Sequence, residues 1–200
     1  SCNKNITMEF IEKYLDKPPW DWYSISRHPN ITMEFIEKYL YKPWSWGFHG
    51  ISCNKNITME FIEKYPDKPW DWRAISYRKT ITMEIIEKYP NKPWDWDGIS
   101  NNPNLNMEFI EKHLDKPWNW LYISQTPNIN MEFIEKYPNK PWDWKWISIN
   151  SNITTDIIEK YHNKPWDWGW VSMNPNLTMD FIEKYPNKPW NWFLISENPN

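Results

Sequence analysis

Eight copies of one 24-residue phrase fill this chain, and that period limits its fold more than any other property. The phrase runs Asn-Ile-Thr-Met-Glu-Phe-Ile-Glu-Lys-Tyr-Pro-Asn-Lys-Pro-Trp-Asp-Trp-x-x-Ile-Ser. Its first tryptophan falls at Trp20, Trp44, Trp70, Trp94, Trp118, Trp142, Trp166 and Trp190, with a step of 24 from Trp70 onward. Self-similarity at a fixed period of roughly 20–50 residues implies a solenoid, propeller or array. Each unit then rests on its neighbours, so residues 1–200 are expected to form a single elongated tandem-repeat array without one central core. Eight near-equal units also argue against an enzyme, because catalysis needs one asymmetric constellation.

One copy, residues 128–148, shows how the unit should fold. Asn130 (threonine in most copies) is a suitable N-cap, since its side-chain oxygen can accept from a free N–H of the first turn. Ile129 and Ile134 have the spacing of a hydrophobic staple. Met131 to Tyr137 reads as a short helix with Phe133, Ile134 and Tyr137 on the side of Ile129. Glu132 and Lys136 stand four apart in the favoured order for a surface pair. Pro138 is expected to end the helix by forcing Tyr137 out of the α region. The Asn139-Lys140-Pro141 start signal predicts a second helix from Pro141 to Ser148. Ser-x-Asn-Pro-Asn is turn chemistry that leads to the next cap.

Two helices this short would not hold alone, because isolated helices below about 12–15 residues are marginal in water. Stacking must stabilise them, and the 18 tryptophans, 16 of them in Trp-x-Trp, suit that task. The fold class is therefore all-α, an α-solenoid of eight helix-turn-helix repeats. The alternative is a leucine-rich-repeat-like solenoid with one short strand at Trp-Asp-Trp, since Trp and Ile favour sheets. Two copies break the period: Pro18-Pro19 adds a proline, and Trp46-Gly47-Phe48-His49-Gly50-Ile51 is two residues longer than its counterparts. The second change reads either as a kink in the superhelix or as a tolerated loop insertion.

A net charge of −3 gives no basic stripe for phosphate, so nucleic acid is not an expected partner. No apolar run reaches the length of a membrane span, and no secretory signal is present. Cys2 and Cys53 share one phase of the array two repeats apart, too far to bridge. Two free thiols suit a reducing, cytoplasmic setting. Residues 1–14 repeat as 52–65, and the chain stops at an Asn-Pro-Asn lead-in, so it reads as part of a longer array.

The chemistry-bearing residues fall into structural roles. Glu9, Glu12, Lys13 and their copies form a solvated face rather than a calcium loop. His28, His49, His113 and His162 occupy four different phases and do not converge with cysteine at zinc spacing. No nucleophile elbow occurs. No catalytic residue, cofactor or metal is expected. The paired indoles read as stacking core, with an aromatic platform for a glycan as the alternative. What varies is the dipeptide between Trp-x-Trp and Ile-Ser, including Arg73, Tyr122, Lys145-Trp146, Gly169-Trp170 and Phe193, and the residues that follow Ile-Ser. A constant frame with a drifting strip is how repeat scaffolds present a binding face. Arg73, Tyr122, Lys145, Trp146, Trp170 and Phe193 are thus the candidate contacts to a protein partner. A purely structural spacer is the third reading.

The phrase Pro-Asn-Lys-Pro-Trp-Asp-Trp-x-x-Ile-Ser-x-Asn-Pro-Asn-Ile-Thr-Met-Glu-Phe-Ile-Glu-Lys resembles the tryptophan-rich tandem repeats in proteins of giant DNA viruses. That resemblance covers the whole chain. It implies a viral repeat protein acting in or from the infected cell, and it carries over no activity and no functional residue.

Overall fold

The computed structural model describes residues 6–17 and 19–199, which leaves Cys2 and Pro18 outside the described residues. The chain divides into two compact units, Ser1–Asn102 and Pro103–Asn200, each holding four repeats. Within each unit the repeats stack in chain order as an α-solenoid. Among the described residues there are fifteen α-helices of four to six residues, one 3-10 turn and no strand. The strand-bearing alternative is thereby set aside.

Each repeat contributes a first helix, at Met8–Lys13, Met33–Lys38, Met59–Lys64, Met83–Lys88, Met107–Lys112, Met131–Lys136, Thr155–Lys160 and Met179–Lys184. All eight start as expected: Thr7, Thr32, Thr58, Thr82, Asn106, Asn130, Thr154 and Thr178 accept from the N–H three residues on. All eight also end at the same lysine. Proline is not the cause, because Leu15, Leu40, Leu114 or His162 stands at that place in four copies. A turn follows in every copy, in which the lysine N–H three residues on bonds the carbonyl of the capping residue, and a side chain from further along adds to it. In every repeat the first tryptophan donates its indole N–H to the carbonyl of the capping residue, at 2.7–2.9 Å. The carbonyl at the C-terminal end, one of the groups that an α-helix leaves without an internal partner, is thus held by a backbone and an indole N–H together.

The second helix departs from expectation. It begins at the second tryptophan, not at the proline, and spans Trp22–Ser26, Trp72–Ser76, Trp96–Ser100, Trp120–Gln125, Trp144–Ile149, Trp168–Val171 and Trp192–Glu197. The reason lies in Lys-Pro-Trp: the tryptophan N–H turns back to the lysine carbonyl, 2.8 Å for Trp142 and Lys140, which is a γ-type turn about the proline. The Asp or Asn between the tryptophans is the N-cap instead. Asp143, for example, accepts from the N–H groups of Lys145 and Trp146.

The isoleucines form the driest core. The residue before each first cap, the isoleucine before Glu-Lys in each first helix and the Ile or Val of Ile-Ser are buried at 0–6% exposure, except Ile6 and Ile195 in the first and last repeats, which are half-buried. The tryptophans pack around them. The second tryptophan of one repeat meets the first of the next edge-to-face at 4.8–5.2 Å, as in Trp22–Trp44, Trp72–Trp94, Trp120–Trp142 and Trp168–Trp190. Such pairs add about 0.5–1.5 kcal/mol beyond area burial. The lysine of the next Lys-Pro-Trp sits over the same ring, 4.6 Å away for Lys188 and Trp168. Glu132 and Lys136 are not paired as the spacing suggested. Lys136 reaches the preceding repeat's Glu111 at 2.7 Å, and Lys64 reaches Glu37 likewise, because stacking brings the first helices side by side.

The buried serine of Ile-Ser is used twice. Its hydroxyl donates to the carbonyl of the second tryptophan of its own repeat, at 2.6–2.8 Å in six copies. It then accepts from the backbone N–H between the tryptophans of the next repeat, at 2.9–3.0 Å. Asparagine side chains add a second tier. Asn174 donates to the carbonyls of Ser148, Asn150 and Ile153 of the repeat before it.

The longer second repeat is a loop insertion. Ile51 N–H still bonds Ser45 O at 2.8 Å, and Ser52 N–H bonds Trp46 O at 3.2 Å, while residues 47–50 turn out between them. Gly50 is required there, since a Cβ would lie 1.9 Å from the Ser45 carbonyl oxygen.

Two results are expected in urea or thermal melts. Ser76→Ala leaves the Asp95 N–H without its acceptor and should cost about 1–3 kcal/mol, the penalty of a buried unmet polar group. Ser196→Ala should be nearly neutral, as Ser196 is exposed and its hydroxyl bonds, among the described residues, the Phe193 carbonyl of its own helix. Trp94→Phe keeps an apolar ring but loses the bond to Tyr89 O, so it should cost less than the roughly 3–5 kcal/mol expected for Trp94→Ala.

Candidate interaction surface

The dipeptide between Trp-x-Trp and Ile-Ser opens each second helix, so its two residues diverge by about 100° around a helix of 3.6 residues per turn. The first residue faces water: Tyr23, Arg73, Asp97, Leu121, Lys145 and Phe193 are exposed. The second turns inward. It is small in the first unit, where Ala74 and Gly98 are buried, and large in the second, where Tyr122, Trp146, Trp170 and Leu194 are half-buried.

The smaller residues leave room that the preceding repeat fills. A Cβ added at Gly98 would lie 2.7 Å from the ring of Tyr77, the residue after Ile-Ser one repeat earlier. In the second unit the large residues meet one another. Trp146 and Trp170 stand 5.3 Å apart at 49°, and Lys145 Nζ lies 4.6 Å from the Trp170 ring centre. Their helices, Trp144–Ile149 and Trp168–Val171, pack directly together, as do Trp120–Gln125 and Trp144–Ile149. Rings at one phase of adjacent short helices are thereby brought into one row.

The six candidate contacts therefore separate. Arg73 belongs to the first unit; in the second, Tyr122, Trp146 and Trp170 share the inward phase, and Lys145 and Phe193 the exposed one. Around them Leu121 is 43% exposed, Met173 40% and Phe193 68%, so the second unit presents apolar side chains that repeat stacking does not use. The strip after Ile-Ser divides in another way. Its first residues include exposed Met173, but its second residues, Asn102, Asn150 and Asn174, are buried and bond the preceding repeat. Those asparagines hold repeats together.

Of the sixteen paired indoles, fifteen are buried or half-buried and Trp192 alone is exposed. No group of three or more His, Cys, Asp or Glu side chains among the described residues could hold a metal ion. Among them, too, no helix is long and apolar enough to cross a membrane. Cys53 is a free, exposed thiol.

Fold and surface together define the class as an α-solenoid repeat protein built from unusually short helix pairs. No protein-family model matches the sequence, and neither the curated proteins nor the solved structures compared with it gave a match.

Gly98→Ala should destabilise the protein by about 1–3 kcal/mol, as overpacking does. The cost should fall clearly in a Tyr77→Ala background, which removes the ring that the new methyl meets. A double-mutant cycle by chemical denaturation checks the coupling.

Proposed function

We propose that this protein is a non-enzymatic repeat scaffold that binds a protein partner through the row of second-helix residues in residues 103–200. One observation carries the reading: Tyr122, Trp146, Trp170 and Leu194 succeed one another at one helical phase, with Leu121 and Phe193 exposed beside them. Contiguous exposed apolar surface on a folded protein commonly marks an interaction site. Tryptophan and tyrosine are over-represented among the residues that anchor such contacts. The resemblance to viral repeat proteins supports the infected host cell as its place of action.

The glycan reading is less well supported. A sugar platform needs an open aromatic face, and the second indoles receive the next repeat's tryptophan edge and, in five copies, its lysine. A spacer would need no surface of this kind.

A photo-crosslinking residue at Leu121 or Phe193 should yield a discrete protein adduct in infected-cell lysate, and one at exposed His162 should not. Leu121→Ser with Phe193→Ser should remove the adduct formed by a crosslinker at Lys145. The melting curve should barely move, since exposed substitutions usually change stability by less than about 0.5 kcal/mol. Equal adducts at all positions, or adducts that survive both substitutions, would favour the spacer.

A further inference from the structure

The junction of the third and fourth repeats differs in composition from those of the second unit. The turns at 101–104, 125–128, 149–152 and 173–176 carry no charged residue, whereas those at 53–56 and 77–80 carry Lys55, Arg78 and Lys79. Arg78 stands where Asn102, Asn150 and Asn174 stand elsewhere. Its guanidinium takes over their task, donating through Nη2 to the carbonyls of Ile57 and Lys55 in the preceding repeat. An amide does this without charge. The guanidinium brings a cation, and among the described residues neither Arg78 nor Lys55 has a carboxylate partner. Partial burial draws the Arg78 pKa below its ordinary value, against a smaller opposing effect of Cys53.

Beside this cation lies a cavity of about 180 Å³. Lys55 and Arg78 line it on the polar side, and Ile57, Ile81 and Ile85 on the apolar side. Ile85 itself is a departure: six of the eight copies have the larger phenylalanine at this place, and Ile85 lines the cavity. Two separate changes from the repeat phrase, a cation for an amide and isoleucine for phenylalanine, thus meet at one cavity. A buried charge is costly unless it is paired.

We infer that this cavity binds a small carboxylate that carries a short apolar tail. The planar guanidinium keeps N–H donors beyond the nitrogen used on the backbone, and its fork matches a carboxylate. Lys55 supplies a second cation in the lining. An apolar cavity of about 150 Å³ holds a benzene-sized molecule, so the isoleucine floor suits a tail of roughly four carbons. The site is made of turn residues in the first unit, and its standing does not depend on the surface proposed above.

The test is titration of the full chain, followed by amide chemical shifts of Ile81 and Ile85, with pentanoate, acetate, pentanol and inorganic phosphate as probes. Pentanoate should saturate at least about tenfold more tightly than the other three, a margin of about 1.4 kcal/mol. Arg78→Asn restores the residue of the other repeats and should fold, yet lose about tenfold or more in pentanoate affinity. Ile85→Phe keeps both cations and should lose the preference for pentanoate over acetate, which decides the matter should Arg78→Asn fail to fold. No saturable binding of pentanoate, phosphate binding as tight as pentanoate, or affinity unchanged in both variants would each overturn the proposal.

Discussion

A helix of five or six residues leaves most of its backbone groups unpaired, because the first four N–H and last four C=O groups of any α-helix lack internal partners. Everything else in this protein follows from that deficit. Threonine or asparagine serves one end of the first helix, and Asp or Asn serves the start of the second. The indole N–H of the first tryptophan serves the other end of the first helix in all eight repeats. The serine hydroxyl then joins one repeat to the next. Tryptophan is therefore present as much for its single N–H as for its area, and a mean hydropathy of −0.86 is compatible with a tightly bonded fold.

Local signals in the sequence were legible and remote ones were not. The first-helix caps and the buried isoleucines follow from spacing within one copy. The second N-cap was equally visible, since every residue between the tryptophans is Asp, Asn or Ser, but the Asn-Lys-Pro upstream offered a rival start. Pro138 looked like a stop because its effect on Tyr137 is local, whereas the Tyr137 carbonyl is held by the Lys140 N–H and by the indole of Trp142, five residues on. The serine bond spans 19 residues and the lysine–glutamate pairs about 25. Such separations are set by how repeats stack, which no single copy encodes.

The candidate surface was legible in part. Variation marked the dipeptide as the place where the repeat phrase changes, but could not say that its two residues point differently. That distinction turns Trp146 and Trp170 into a contacting pair and leaves Arg73 alone in the other unit. The strip after Ile-Ser misled because variable and structural residues alternate in it: Met173 is exposed, while neighbouring Asn174 is buried and makes three bonds to the repeat before it. At the junction with Arg78 and Ile85 the signal lay in departure from the phrase, and only adjacency in space gave the two departures a common meaning.

The second repeat shows what this bonding scheme permits. Ile51 and Ser52 keep the backbone bonds that their counterparts make, although two more residues separate them from Ser45 and Trp46. The contacts between layers reside in the two ends of that segment, so its middle is free to change in length. Every copy has the same two anchoring ends. An array of this kind can acquire new loops, one repeat at a time, without any shift in the register of the layers that follow.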